Sequence, residues 1–255
     1  MPSASEAWVR VIQEGKGYSG IDASRFRRLI DQTKKNYALY KVLRRHVANG
    51  SKVLEAGCGW ACSSFALAED GISVTAIDIS EKLIEDLKEV QKELGGPAQS
   101  NLKLLPGDIF KLAELREKFD VIFNDGTYEH FLNAEDRKTI LRDTCNQLKQ
   151  NGKYIVAVPN VENPFFRWVV DPKMPAMQPF SLKTLAAELE AGGFQVIEQG
   201  YQFVNPGFEQ WLKSRWMAQP VWMVNGAFGY FPKFLKKTVA AHIYCVAQKS
   251  ESENR

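Results

Sequence analysis

The chain is poor in the residues that build metal centres and disulfide frameworks. Its 255 residues hold three histidines and four cysteines. Cys58 and Cys62 stand four apart, but no second pair follows and no histidine lies at ligand spacing, so no metal site is expected. Cysteines scattered in this way are expected to be reduced thiols. Long apolar runs are missing as well. The stretch 216–231 is largely apolar, yet Pro220 and Gly226 break it and it is too short to cross a bilayer. The first residues carry no basic segment followed by an apolar run, so no secretory leader is expected and a cytoplasmic location is. There is no internal repeat, heptad pattern or low-complexity tract. Neither sign of charge dominates: the net charge is only +3.

An apolar content of 45% and a charged content of 25% are ordinary for a globular chain. The length suits one sizeable α/β domain with appended segments. The charge is unevenly placed. Residues 1–50 carry ten Lys/Arg against four Asp/Glu, residues 51–202 sixteen against twenty-three, and residues 203–255 seven against three. An acidic centre suits a cationic ligand, and basic flanks suit either a solvated face or an anionic partner.

Periodicity predicts helices over 7–47, broken near Gly15–Gly17 and Ser19–Gly20. From Lys52 the pattern alternates. Strands are expected at 52–55, 73–78, 102–105, 119–124, 153–158, 194–198 and 242–248. Helices are expected between them at 61–69, 80–94, 136–149 and 181–191, with Ser80 and Ser181 as N-caps. Strands alternating with helices imply an open, mostly parallel α/β sheet with helices on both faces. Two insertions interrupt the scheme: 160–179, expected to cover the site, and 203–237, expected to be a lid or docking surface. The expected division is an N-terminal helical lid (1–50), a ligand-binding core (51–202) and an aromatic insertion with the last strand (203–255).

The most informative segment is Val53-Leu54-Glu55-Ala56-Gly57-Cys58-Gly59. An apolar run ends in a carboxylate, and two glycines then open the turn into a helix so that a ligand can approach the backbone. About twenty residues on, a second apolar run ends in Asp78, the spacing of an acid that binds ribose hydroxyls. A nucleoside-bearing cofactor is therefore expected across the first two strands. A nicotinamide dinucleotide wants a third glycine and a pyrophosphate at the helix N-terminus. Here Cys62 holds the third glycine's place, and Glu55 would sit poorly beside a pyrophosphate. A carboxylate at that point suits an ammonium or sulfonium better.

These residues resemble the class I S-adenosylmethionine-dependent methyltransferases of small-molecule type. Glu55-Ala56-Gly57-Cys58-Gly59 is similar to the family's acid, small residue, Gly-x-Gly pattern, with Ala61 in place of the usual last glycine. Asp78 matches the ribose acid. Asp108, within Pro106-Gly107-Asp108-Ile109, matches the acid beside adenine. Phe119–Asn124 matches the family's fourth strand, Tyr128-Glu129-His130-Phe131 resembles the segment after it, and Leu148–Lys153 resembles the turn into the fifth. The likeness covers about residues 50–200. It implies a Rossmann-like fold with seven strands and an antiparallel last one, S-adenosylmethionine as cofactor, and methyl transfer to oxygen or nitrogen of a small, partly apolar molecule. It also implies cofactor contacts from Glu55, Ala56, Gly57, Cys58, Gly59, Asp78, Ile79, Gly107, Asp108, Ile109, Asn124 and Asp125.

His130 is the candidate base: it falls at the mouth of the expected site and titrates near neutrality. Glu129, Asp125 and Tyr128 are weaker candidates, and a structural role for His130 stays open. His46 and His242 are expected to be structural. Tyr18, Tyr37 and Tyr40 either close over the cofactor or pack in the core. Asn163-Pro164-Phe165-Phe166 looks like the signature of adenine-amine methyltransferases but follows the fifth strand instead of the fourth, so nucleic acid is not an expected partner. The aromatics of 203–237 read as a hydrophobic cap or dimer surface, with shallow membrane contact the less favoured reading. Two alternatives stay open: a non-catalytic cofactor-binding subunit that docks a partner, and a nicotinamide-dependent dehydrogenase.

Overall fold

The structure is a computed structural model that describes residues 22–164, 176–202 and 231–250. Seven strands form one sheet: β1 (Lys52–Ala56), β2 (Ser73–Asp78), β3 (Leu102–Pro106), β4 (Phe119–Asp125), β5 (Leu148–Pro159), β6 (Phe194–Gln202) and β7 (His242–Lys249). Their order is β3-β2-β1-β4-β5-β7-β6. The first five run parallel, and β7 lies antiparallel between β5 and β6. This is the expected architecture. Because β1 pairs with β2 on one side and β4 on the other, the winding reverses between β1 and β4. Their carboxyl ends open a crevice there, where ligands of such sheets bind.

Strand pleating divides the side chains between two apolar clusters. Val53, Val121, Phe123, Ile155 and Ala157 belong to one. Leu54, Ala56, Ile122, Tyr154 and Val156 belong to the other. Both faces are covered, as a parallel sheet requires. On the first face lie α1 (Ala23–Asn36), α2 (Ala38–His46), α3 (Cys62–Glu69) and α4 (Glu81–Leu94). Phe26 and Ile30 of α1 and Leu39 and Leu43 of α2 are fully buried there. Phe26 meets Phe65 of α3 edge-on, with ring centroids 4.7 Å apart. Burying each such side chain contributes roughly 1.5–3 kcal/mol. The N-terminal helices thus share a core with the sheet.

Caps set most helix starts. Asp22 accepts from the Arg25 N–H at the head of α1, and Ser80 accepts from Leu83 N at 3.3 Å at the head of α4. Ser181 and Thr184 cap each other reciprocally at the head of α7 (Leu182–Ala191). A short α5 (Gly96–Asn101) precedes β3. Several boundaries differ from expectation. Ala61 is not helical but left-handed, with φ 53°, so α3 begins one residue later. The helix expected at 136–149 is α6 (Ala134–Gln147), because Asn133 caps it and Leu148 already pairs with Phe119 as the start of β5. The N-terminal helix is interrupted at Tyr37, whose extended backbone ends α1 and starts α2. A further helix, α8 (Lys233–Val239), stands before β7. Most of both insertions, with Tyr18, Phe165, Phe166 and the tryptophans of 203–230, lies outside the described residues. Asn163 is described: its side chain donates to Ala240 O at 3.2 Å.

Candidate active site

A cavity of about 360 Å³ opens beyond the carboxyl ends of β1, β2 and β4. Two βα corners form its floor. Gly57 stands at φ +75°, where a Cβ would come within 2.5 Å of Thr127 Cγ2, so only glycine fits. The N–H groups of Gly57 and Cys58 both donate to Ile77 O at 2.9 Å, which fastens the β1 turn to the end of β2. Asp78 fastens it again: its Oδ2 accepts from Gly59 N and its Oδ1 from Ser80 N, each at 3.0 Å. Gly107 N donates to Asp78 O at 2.9 Å and draws the β3 loop to the same corner.

Four carboxylates, Glu55, Asp78, Asp108 and Asp125, line this cavity, and no Lys or Arg does so among the described residues. Glu55 is buried and accepts from the Ser64 hydroxyl. Burial pushes its pKa up to about 8, against the help of Ser64, and the charges of Asp125 and Asp78 push the same way. Burial also raises Asp78, opposed by its N–H donors. Each of the two is stabler ionised once a cation stands beside it. Asp108 caps the 3-10 turn Ile109–Leu115 through Phe110 N at 3.0 Å. Ile79 and Ile109 stand on the same wall.

The other end of the cavity is built from β4 and from distant segments. Tyr37, between α1 and α2, donates from its hydroxyl to Asp125 Oδ2. Thr127 donates to Gly57 O at 3.0 Å, joining the two ends. His130 lies on the wall, buried, and burial lowers its pKa. Its Nδ1 is 3.4 Å from Ala176 O and its Nε2 is 3.8 Å from Glu129 Oε1.

Of the residues expected to contact a cofactor, Glu55, Gly57, Cys58, Gly59, Asp78, Ile79, Gly107, Asp108, Ile109 and Asp125 line the cavity, and Ala56 and Asn124 do not. The pleat explains the exceptions. Ala56 and Asn124 point to the opposite face from Glu55 and Asp125, where Asn124 donates to the Tyr154 hydroxyl at 2.6 Å. Tyr128 is turned away to Glu188, at 2.6 Å. Tyr40 donates to Asp70 outside the cavity. His46 pairs with Glu198 at 2.8 Å, away from it. Burial lowers the pKa of His242, opposed by the charge of Asp125 on the far side of β5. Thr33, Trp60, Ala61, Cys62, Ser63, Gly126, Thr127 and Phe131 complete the lining without having been singled out for it. Burial drives the Cys62 thiol up to about 12 and Cys58 well above its usual range, so neither is a thiolate nucleophile. Among the described residues no group of three or more His, Cys, Asp or Glu could hold a metal ion, and no helix is long and apolar enough to cross a membrane.

A glycine-turned crevice at the switch point, with an acid ending each of the first two strands, defines a nucleoside-binding α/β domain. A family profile described as a methyltransferase domain matches residues 48–201. The chain belongs to that family, the class I S-adenosylmethionine-dependent methyltransferases. Among curated proteins it is similar to the ubiquinone biosynthesis O-methyltransferase of Rhizobium etli, 28% identical over 179 residues, 65% of this chain and 68% of that one. It is 28% identical over 134 residues to the mitochondrial enzyme of that name from Schizosaccharomyces pombe, covering 52% and 47%. It is 32% identical over 111 residues to the enzyme from Coxiella burnetii, covering 44% of each. The chain spans less than half the length of these last two relatives. Among solved structures, a putative methyltransferase of Haloferax volcanii in complex with the activator Trm112 superposes with TM-score 0.61 at 16% identity, over 91% of this chain and 96% of that one. The glycopeptide N-methyltransferase MtfA with S-adenosylmethionine gives 0.58 at 15%, over 82% and 92%. The [4+2]-cyclase SpnF gives 0.56 at 16%, over 87% and 80%. At such identities the likeness is one of fold, and that fold carries more than one reaction.

Proposed function

We propose that this protein is an S-adenosylmethionine-dependent methyltransferase acting on oxygen or nitrogen of a small molecule. The observation that carries the reading is the charge of the cavity. Four carboxylates face a site whose glycine turn admits a nucleoside, and no Lys or Arg lines it among the described residues. That set repels a pyrophosphate and attracts a ligand bearing a sulfonium and an ammonium, which sets S-adenosylmethionine above a nicotinamide dinucleotide.

The residues fit the cofactor. Each Asp78 oxygen already accepts one N–H, and each has a second lone pair for a ribose hydroxyl. Ile79 and Ile109 would flank adenine, with the second oxygen of Asp108 for its amino group. Glu55 and Asp125 would face the methionine end. When bound, the cofactor supplies a methyl group already activated on sulfur. The protein's own work is to hold the acceptor in line with that methyl group and to exclude water. Positioning of this kind can lower the barrier by as much as ~7–11 kcal/mol. His130 stands where an acceptor's proton could leave. The four cysteines stand free, which suits a reducing compartment such as the cytoplasm.

Calorimetry tests the cofactor: S-adenosylmethionine and its demethylated product bind at micromolar concentration, and NAD does not. An acceptor panel of catechol, 3,4-dihydroxybenzoate and tyramine tests the chemistry, read as appearance of the demethylated product. NAD binding without S-adenosylmethionine binding would refute the assignment. Cofactor binding with no turnover, together with one stoichiometric partner, would favour a docking subunit.

A further inference from the structure

Behind the cavity wall lies a carboxylate that the reading above does not use. Glu129 is 2% exposed, and its Oε2 has no hydrogen-bond partner among the described residues. A buried polar atom left so costs roughly 1–3 kcal/mol, which calls for an explanation. Its other oxygen stands 3.8 Å from Nε2 of His130, itself almost wholly buried. The wall between Glu129 and the cavity is thin. Gly126 lines the cavity at φ +68°, and a Cβ built on it would lie 3.7 Å from Glu129 Oε1. Two groups 3.8 Å apart are too far for a direct hydrogen bond, yet both can reach one oxygen or nitrogen placed between them.

We propose that Glu129 and His130 form one proton-accepting pair at the acceptor end of the cavity, with His130 taking the proton and Glu129 the positioning residue that stabilises it there. The inference rests on the methyltransferase reading. As the acceptor's lone pair forms its bond to the methyl carbon, the carbon–sulfur bonding pair stays with the departing thioether. The acceptor's proton passes to His130. As pH rises through about 8 and Glu129 ionises, the resulting imidazolium faces its carboxylate until the proton leaves to solvent.

The surroundings favour this pairing. Asp125, at the end of β4, adds to the burial that pushes the Glu129 pKa up to about 8. Tyr154 of β5 feels the Glu129 charge. Arg137 of α6 does not neutralise it: its guanidinium is engaged by Glu188 at 2.6 Å and by the carbonyls of Phe131 and Leu132 at 2.7 and 2.9 Å. The other nitrogen of His130 faces the Ala176 carbonyl. Glu129 therefore has His130 as its one adjacent cation-to-be among the described residues.

Histidine NMR tests the pair without an acceptor or cofactor. The chain has only three histidines, so replacing His46 and His242 singly assigns the ring signals. Coupled sites titrate in two steps. His130 should show an upper step near pH 8 that reports Glu129, and a lower one below its ordinary 6.5. Glu129→Gln should erase the upper step, and Glu129→Asp should restore it. One identical step in wild type and Glu129→Gln would overturn the pairing. In turnover of catechol, Glu129→Gln should lower kcat about tenfold and move its acid limb to lower pH, because the limb set by Glu129 ionisation near pH 8 is gone and only the lower His130 limb remains. An unmoved limb would overturn the catalytic part. Failure of S-adenosylmethionine to bind in calorimetry would instead count against the methyltransferase reading and leave the NMR result standing.

Discussion

The two ends of the cavity are made in different ways. The β1–β2 end is local: Glu55, Gly57, Cys58 and Gly59 are consecutive or nearly so, and Asp78 reaches them across one strand pair. The β4 end is assembled from afar. Tyr37 meets Asp125 across 88 positions of sequence, and Ala176 meets His130 across 46. The first end binds through backbone geometry that a tight turn dictates. The second depends on α1 and α2 docking on the sheet. Damage to the first should act on cofactor affinity and the fold of one turn. Damage to the second should act on turnover and, most at low pH, on affinity.

The sharpest way to break the comparison is at the turn. Gly57→Ala places a Cβ 2.5 Å from Thr127 at a left-handed φ. Strain and overpacking should together destabilise the protein by about 3 kcal/mol and abolish cofactor binding. Gly50→Ala is the control: its φ is +81°, but nothing lies within 4 Å of the new Cβ. It should cost about 1 kcal/mol in urea unfolding and leave binding intact. Equal effects would mean that conformation, and not the Thr127 contact, sets the requirement.

Next comes Asp78. Asp78→Asn keeps the shape, but its amide can accept through only one atom, while Gly59 N and Ser80 N both donate to the native carboxylate. Charge-assisted bonds contribute roughly 1.5–3 kcal/mol. S-adenosylmethionine should therefore bind about ten- to a hundredfold more weakly, by calorimetry at neutral pH.

Smaller still is a pH effect at Glu55. Its pKa in the free protein is raised to about 8, above the ordinary 4.5. A raised carboxyl binds more protons in the folded state, so its contribution to stability is full below pH 4.5 and is lost as pH rises through 8. A bound cation favours the ionised form, so binding should expel a proton. Affinity should rise with pH, by at most about tenfold per unit, and level off above pH 8. Calorimetry in buffers of different ionisation enthalpy counts that proton. Glu55→Gln should flatten the slope.

Much of the fold was legible because alternation and caps are local signals. The seven strands, Ser80 and the glycine turn all follow from neighbours in sequence. Asp78 was legible because strand and helix lengths fix its distance from the turn. Asn124 and Ala56 do not line the cavity, and the pleat was there to read. In β4 the residue that shares a face with Val121 and Phe123 is Asp125, and in β1 the residue that shares a face with Val53 is Glu55. The contact of Thr127 with Gly57 had no such signal, since a turn residue's partner 70 positions away is set by how β1 and β4 pair. The orphaned oxygen of Glu129 was equally invisible, because burial without a partner is a property of the packed whole.

Tyr37 gives the smallest and most selective effect. Its hydroxyl donates to Asp125, and that bond holds the Asp125 carboxyl down while burial pushes it up. Tyr37→Phe removes one donor and leaves the ring in place, so the fold should lose only about 1 kcal/mol. Without the donor, Asp125 keeps its proton to higher pH. A neutral Asp125 attracts a cation less, so cofactor binding should weaken a few-fold, and more at low pH than at high pH. A loss that is equal at low and high pH would assign Tyr37 to packing of α1 against the sheet. A loss greater at low pH would show that the N-terminal helices tune the charge of the β4 end, which the β1–β2 end does without them.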